Sequence, residues 1–445
     1  MSRPSRKTSI LLAFAFWFRF RPGRGLVNLI YVSHLTMNRF PVLRLALIAT
    51  LSLAAVPGMF GQGGSDYSAT DFGAGKFERR PFLITTDLRV GYDSNVNTTY
   101  FNPHSSGFFN LGINIAYTAS SPRSTLTIGA GVNFVFYFDP APNTQEFQVN
   151  AKFNIAWTYK ISPRMSLAIS TANVYGTQPE YTIVGLNSRV AGNYFYSANR
   201  VALGYQFTSR FSTITSFVPI IVLYEEEPYK TGQNRVEYYF SEELRYLIQP
   251  TVTLVGEYRF SYINYLNFNR LDSTSNYVIG GLDASLSPRL KLSLRGGAQF
   301  ADYSNSNRTT VASPYFEGSM SYDYQKYSNI AFILRYGVEQ TDVAGTLYRQ
   351  GFRMGVNIRH QLTPRISLSG SFYYTNAYYT GDPSQPLLNP GRFSDNIFDT
   401  AVGARYAINR NFSIDVGYLY TFVDSPLLGR SYNRNRVFAG VRFQF

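Results

Sequence analysis

The sequence predicts an all-β fold, a transmembrane antiparallel up-and-down β-barrel of about 18 strands (16–18) with short periplasmic turns. Three observations predict it. Short turns recur at near-even steps, the segments between them alternate apolar and polar residues, and no apolar run in the body is long enough for a spanning helix. The longest such run, residues 217–224, is interrupted by Pro219, whereas a membrane helix needs about 20 apolar residues.

The chain opens with two leader-like stretches. Residues 37–61 have the three parts of a secretory signal peptide: the basic Arg39 and Arg44, an apolar stretch over 45–56, and the small residues Gly58 and Gly61 at the cleavage region. Residues 1–36 carry a second basic and apolar stretch. Tandem leaders are unusual, so we assign 1–36 to a non-native upstream extension and expect Met37 as the start; an extended leader is the alternative. Residues 62–81 are then a short periplasmic segment, and residues 82–445 the outer-membrane barrel.

The turns order the body. Four read alike, Ser121-Pro122-Arg123, Ser162-Pro163-Arg164, Ser287-Pro288-Arg289 and Thr363-Pro364-Arg365. Anchored at Pro122, Pro163, Ser209, Pro250, Pro288, Gln325, Pro364 and Asn409, the eight turns lie 41, 46, 41, 38, 37, 39 and 45 residues apart. A membrane strand takes about 9 to 11 residues, so each step holds a strand out, a surface loop and a strand back. Proline suits the turns because its φ is fixed and it donates no ladder hydrogen bond. Two strands before the first turn, two per interval and two after the last make 18. Both ends of the barrel then fall on the turn side.

The strands follow from period-two patterning, since successive side chains point to opposite faces. Over residues 147–160, Phe147, Val149, Ala151, Phe153, Ile155, Trp157 and Tyr159 make one face, and Gln148, Asn150, Lys152, Asn154, Ala156, Thr158 and Lys160 the other. Residues 126–138 and 412–422 behave likewise. Apolar out toward lipid and polar in toward water is the pattern of a membrane barrel; a soluble β-sandwich would show polar outer faces.

Composition narrows the functions. Residues 1–61 hold eight of the 41 basic residues and no acidic one, which leaves the remainder at 33 against 27. These charges are scattered among aromatics, without the basic stripe that nucleic acid requires, so no nucleic-acid partner is expected. Cysteine is absent, which removes disulfides and thiolate metal sites. No cofactor or metal is expected; the run Glu225-Glu226-Glu227 reads as a solvated loop. The neutral-pH bases of the body, His104 and His360, fall at opposite ends by this topology, so no enzyme activity is expected.

The last segment alternates Val437, Ala439, Val441, Phe443 and Phe445 with Phe438, Gly440, Arg442 and Gln444. Gly440, Phe443 and Phe445 resemble the C-terminal signal read by the barrel assembly machinery, with Phe438 at the position usually polar. Near the start, Leu88-Arg89-Val90-Gly91-Tyr92-Asp93-Ser94-Asn95-Val96, with its Tyr-Asp-x-Asn element, resembles the putative β-barrel porin-2 family of bacterial outer membranes. That resemblance implies an outer-membrane pore, in some members tied to exported polysaccharide.

Parity places Arg295, Arg335, Arg349, Arg353, Arg359, Arg405 and Arg442 on the inward face as pore-lining candidates, with Asp87, Glu257, Glu317, Asp323, Glu339, Asp399 and Asp415. Such a mixture either gives a weak anion preference or pairs with itself across strands. Inward Tyr137, Tyr194, Tyr196, Tyr239, Tyr277 and Tyr373 could stack on sugars or fill wall space. About twenty residues precede the barrel after the cleavage region, too few for a plug domain. The expected function is passive diffusion of small hydrophilic solutes, with weak anion preference. The alternatives are an exopolysaccharide export pore and a non-conducting structural or adhesive barrel. Expected partners are outer-membrane lipid, the assembly machinery and small solutes; the apolar outer face leaves a homo-oligomer open.

Overall fold

The computed structural model describes residues 82–445 except 142–144, 178–191, 228, 268 and 305–307. The extension, the signal peptide, the periplasmic segment and most of the predicted 177–189 loop lie outside the described residues.

Eighteen strands follow one another: β1 (Phe82–Asp93), β2 (Ser106–Ser120), β3 (Ser124–Tyr137), β4 (Phe147–Ser162), β5 (Met165–Gly176), β6 (Tyr194–Gln206), β7 (Phe211–Tyr224), β8 (Arg235–Gln249) and β9 (Val252–Tyr265). They continue as β10 (Ser273–Ser287), β11 (Leu290–Tyr303), β12 (Thr310–Gln325), β13 (Ser328–Glu339), β14 (Thr346–Gln361), β15 (Ile366–Gly381), β16 (Arg392–Ala407), β17 (Phe412–Asp424) and β18 (Tyr432–Gln444). Each pairs antiparallel with its neighbours in sequence, and β1 pairs with β18, so the sheet closes. Closure leaves no open strand edge, which is what allows a sheet to sit in lipid. A short helix α1 (Tyr229–Gln233) and one 3-10 turn (Asn269–Leu271) occupy connections.

The faces are inverted relative to a soluble protein. On β9, Leu254, Gly256, Tyr258, Phe260 and Tyr262 are exposed, while Val255, Glu257, Arg259, Ser261 and Ile263 between them are buried. The same holds at the seam, where Val90 and Tyr92 are exposed and Asp87, Arg89 and Asp93 are buried. Burying charge while exposing aromatics is favourable only where the outside is apolar. At roughly 0.8 kcal/mol per buried CH₂ group, lipid contact outweighs the cost of exposing these side chains.

All eight anticipated turns join strands, through two to four residues each. The recurrent Ser/Thr-Pro-Arg has a local cause. The leading hydroxyl accepts backbone N–H groups two or three residues on: Ser121 Oγ from Ser124 (3.0 Å), Ser287 Oγ from Leu290 (3.0 Å) and Thr363 Oγ1 from Ile366 (3.0 Å). Asn409 Oδ1 does the same for Asn411 and Phe412, and Thr208 Oγ1 for Arg210 and Phe211. The side chain thus replaces one ladder carbonyl. The hook in the third turn is Thr208 rather than the Ser209 used as its anchor. The nine other connections run from six to seventeen residues and gather at the opposite end.

Candidate functional site: the polar interior

Residues two apart on a strand share a face, and the inner face of the charged strands uses this spacing to pair opposite charges. Arg235 Nε donates to Glu237 at 2.8 Å, Arg245 Nη1 to Glu243 at 2.9 Å and Arg259 Nε to Glu257 at 2.8 Å. Cross-strand contacts link the pairs. Arg259 Nη1 donates to the Tyr315 hydroxyl at 2.9 Å, Tyr315 donates to Glu317 at 2.5 Å, and Arg245 and Arg295 both reach Asp283 (2.5 and 2.9 Å).

Register sets a second row on the neighbouring wall. Arg295 faces Glu317, Glu317 faces Arg335, and Arg335 faces Arg353, on β11, β12, β13 and β14. One turn of the pleat higher, Arg349 donates to Glu339 at 3.1 Å and approaches Asp342 at 3.5 Å. Arg353 stacks over the Tyr373 ring at 5.1 Å.

The long-connection end is tied by ion pairs between loops. Arg430, between β17 and β18, donates to Asp342 at 2.8 Å and to Asp395 at 3.0 Å. Burial works against the Arg430 charge, yet Asp342, the Tyr379 hydroxyl and Asp395 outweigh it and hold its pKa above the ordinary guanidinium value. Arg270, beyond β9, donates to the buried Asp382 at 2.7 Å, which draws the β15–β16 connection toward the β9–β10 connection. The acidic run before α1 serves the chain itself: Glu225 accepts from Tyr175 at 3.2 Å, and Glu227 accepts from the Thr231 N–H at 3.2 Å.

The seam gives the Tyr-Asp-x-Asn element a physical role. Asp93, with no exposure to solvent, accepts from Arg434, is paired with Arg436 at 3.2 Å, and accepts from the Tyr137 hydroxyl at 3.3 Å. Asn95 Nδ2 donates to the carbonyls of Thr99 (2.9 Å) and Asn433 (3.0 Å), so one amide ties the β1–β2 connection to β18 across the closure. Lower down, Arg442 pairs with Asp87, and Arg89 with Asp415 at 2.9 Å.

The structure therefore brings ten of the fourteen candidates into these rows and pairs: Arg295, Arg335, Arg349, Arg353, Arg442, Asp87, Glu257, Glu317, Glu339 and Asp415. Arg405 faces Asp415 across β16 and β17, and Asp399 accepts from Thr421 at 2.8 Å. Arg359 lies low on β14, where its carbonyl accepts from Tyr324. Asp323 stands apart. The β12–β13 ladder shifts register between Tyr322 and Gln325, and Asp323 is exposed at the turn rim with no ion pair among the described residues. Sequence reasoning passed over Arg235, Glu237, Glu243, Arg245 and Arg259, although Arg-x-Glu or Glu-x-Arg on an alternating strand signals such pairs.

Tyr137, Tyr194, Tyr196, Tyr277 and Tyr373 are buried, and Tyr239 is half-buried. A small interior cavity of about 30 Å³ lies among Glu237, Tyr239, Tyr277, Gln299, Tyr303 and Arg335. His104 belongs to the β1–β2 connection and His360 to the turn end of β14.

On the last strand, Gly440 faces Arg89, and a Cβ there would fall 2.5 Å from Arg89 Cγ. Phe443 packs on Phe412 at 5.0 Å, and Phe445 is exposed, with its N–H donated to the Ile84 carbonyl at 2.9 Å. Phe438, at the usually polar position, is buried against Phe108, Val135, Tyr137 and Leu419 and lies under the Arg89 guanidinium at 4.8 Å. It also covers Gly417, where a Cβ would meet its ring at 2.3 Å.

No curated protein matches the chain. Among solved structures, OccAB4 of Acinetobacter baumannii is similar at 11% identity and a TM-score of 0.40, over 83% of this chain and 99% of that one. OccK1 (OpdK) of Pseudomonas aeruginosa is similar at 9% identity and 0.43, over 82% and 99%, and the siderophore receptor PiuA of A. baumannii at 9% and 0.41, over 82% of each chain. The family model described as putative beta-barrel porin 2 matches residues 227–445, a stretch that leaves out the Tyr-Asp-x-Asn element. The chain folds as a closed 18-stranded antiparallel β-barrel and over residues 227–445 resembles the putative beta-barrel porin 2 family.

Proposed function

We propose that the barrel is a passive channel for small hydrophilic solutes with a weak anion preference. The observation that carries this reading is the inverted burial: aromatics and aliphatics outside, and a wall of Arg, Glu, Asn and Tyr inside. Eighteen strands fall in the range where barrels enclose aqueous channels. The pairing of most inward charges supports a weak preference over a strong one, because each pair is nearly neutral at a distance. The eight short turns would face the periplasm, a signal peptide would bring the chain there, and Gly440, Phe443 and Phe445 would engage the assembly machinery. His104 and His360 lie at opposite ends, which supports a non-enzymatic reading.

Planar-bilayer recording tests the function. Discrete conductance steps are expected, with a reversal potential displaced toward chloride in a salt gradient. No steps over repeated insertions would remove the channel reading, and a cation-side reversal would remove the anion preference. A non-conducting structural barrel is the second reading, favoured by the full burial of Arg349, Tyr137, Tyr196 and Tyr379 inside.

A further inference from the structure

The ladder between β12 and β13 does not run the full height of the wall. It climbs from Gln325 and Ser328 at the turn to Phe316 and Tyr336 and stops there. β12 continues for six more residues, held by β11 as far as Thr310, and β13 for three more, held by β14 as far as Glu339. Above Tyr336, side chains that alternation assigns to the outside lie inside. Val338 and Tyr348 pack with Ala301 and Tyr303 of β11, the Tyr348 and Tyr303 rings stacking at 5.7 Å, and Gln350 donates to Ser313 Oγ at 3.3 Å. The upper β13–β14 hairpin is thus tucked behind β11 and β12, with only a cavity of about 30 Å³ left against the wall. Its tip reaches over the lumen: Gln340 accepts from the Tyr265 hydroxyl at the end of β9, four strands away, at 3.1 Å, and the Gly345 carbonyl accepts from the Asp382 N–H at 2.8 Å.

The break has a local cause. The Gln299 carboxamide accepts from the Val338 N–H at 2.9 Å and donates to the Val338 carbonyl at 3.2 Å. A strand residue sends both backbone groups to the same side, so these are the groups that would otherwise bond to β12. Two residues on from the Phe316–Tyr336 pair, the residue opposite Val338 would be Pro314, which has no N–H to give. Gln299 supplies the donor that β12 lacks. The bend falls at Gly337 and Gly351, which face each other on β13 and β14. A Cβ at Gly337 would lie 3.0 Å from the Tyr315 ring.

We infer that the upper β13–β14 hairpin is the gate of the barrel. It has a tucked position that narrows the lumen and a second position in which β13 continues its ladder up to Pro314 and stands in the wall. This deepens the channel reading by naming its moving part and rests on it. In the second position Val338 and Tyr348 face lipid, as the alternation of a membrane strand requires. In the tucked position they lie against Ala301 and Tyr303 instead, and the second Val338 hydrogen bond is gained from Gln299. Two arrangements that exchange comparable contacts make a two-state element.

The test combines single-channel recording with the distance between spin labels at Leu266→Cys and Ala344→Cys, exposed positions beyond β9 and on the hairpin tip, in a chain with no other cysteine. Pro314→Val supplies the missing N–H, and Gln299→Leu removes the side chain that holds Val338. Each is expected to raise the open-to-closed ratio about fivefold, the worth of one hydrogen bond. Each should also enlarge a population whose label distance is longer by about one strand spacing, ~5 Å, or more. A lengthened distance with an unchanged open-to-closed ratio would overturn the gate, as would no change in either readout in variants that keep heat-modifiable gel mobility. If Gln299→Leu does not fold, Pro314→Val decides, since it adds a ladder donor and removes no interior contact. Conductance steps from the wild type with an unchanged label distance in Pro314→Val defeat the gate alone. No steps from the wild type or either variant, with the distance lengthened, defeat the channel reading and the gate with it.

Discussion

Strands β2–β7 and strands β8–β14 enclose the same interior with opposite chemistry. The first set contains no aspartate or glutamate, only the cations Lys152, Lys160 and Arg200, and its inner face combines Asn, Gln, Ser, Thr and Gly with the buried Tyr137, Tyr194 and Tyr196. Its amides bond locally, as Asn173 Nδ2 does to Thr171 Oγ1 at 2.7 Å and Asn199 Nδ2 to Ser197 Oγ at 3.0 Å. The second set holds Glu237, Glu243, Glu257, Asp283, Glu317 and Glu339 among eight arginines. Neutral amides suit a wall that needs only hydrogen bonds. Ion pairs suit a wall that must also keep a field, because each buried charge is costly without its partner. A solute between the two walls experiences a field across the lumen rather than along it.

The contrast is most directly broken by removing one member from each wall. Glu257→Ala leaves Arg259 buried without its near partner and is expected to cost about 3–5 kcal/mol, whereas Asn173→Ala should cost about 1 kcal/mol. Urea unfolding in lipid vesicles, followed by gel mobility, checks both; equal losses would show that the walls do not differ energetically. A smaller effect should come from replacing Lys152 and Arg200 together by glutamine. Because the strands of this wall carry no carboxylate, the two cations give it a net positive charge, and the chloride-to-potassium permeability ratio should fall about twofold, read from reversal potentials at low salt where screening is weak. The smallest effect lies outside both walls. Ser287→Ala removes a turn hook and should cost about 0.5–1 kcal/mol with no change in selectivity.

Much of the architecture was legible in the sequence because its causes are local. A strand's faces follow from a period of two, and a turn follows from Ser-Pro-Arg within three residues, so strand number and the inward set could both be counted. Pairing partners were a different matter. Whether Arg295 meets Glu317 or Asp283 depends on register summed through each turn, and a one-residue shift, such as that after Tyr322, takes Asp323 out of the set. Pairs within one strand, such as Arg235 with Glu237, escape that dependence. The loop pairs, Arg430 with Asp342 and Arg270 with Asp382, join residues 88 and 112 apart with no periodic pattern to announce them. Phe438 breaks the expected polar position because Gly417, on the next strand, leaves room for its ring.

The clasp at Asp93 has a consequence for assembly. Seventeen of the strand pairings are hairpins that can form as the chain arrives, while the pairing of β1 with β18 joins residues some 341 positions apart. Local pairings form fast and remote ones wait on loop closure. Until the clasp forms, the sheet has two unpaired edges, which lipid does not tolerate. Asp93, Arg434, Arg436 and Asn95 thus act as a fastener on the last step, turning a ribbon of hairpins that could still slide or open into a ring with no free end.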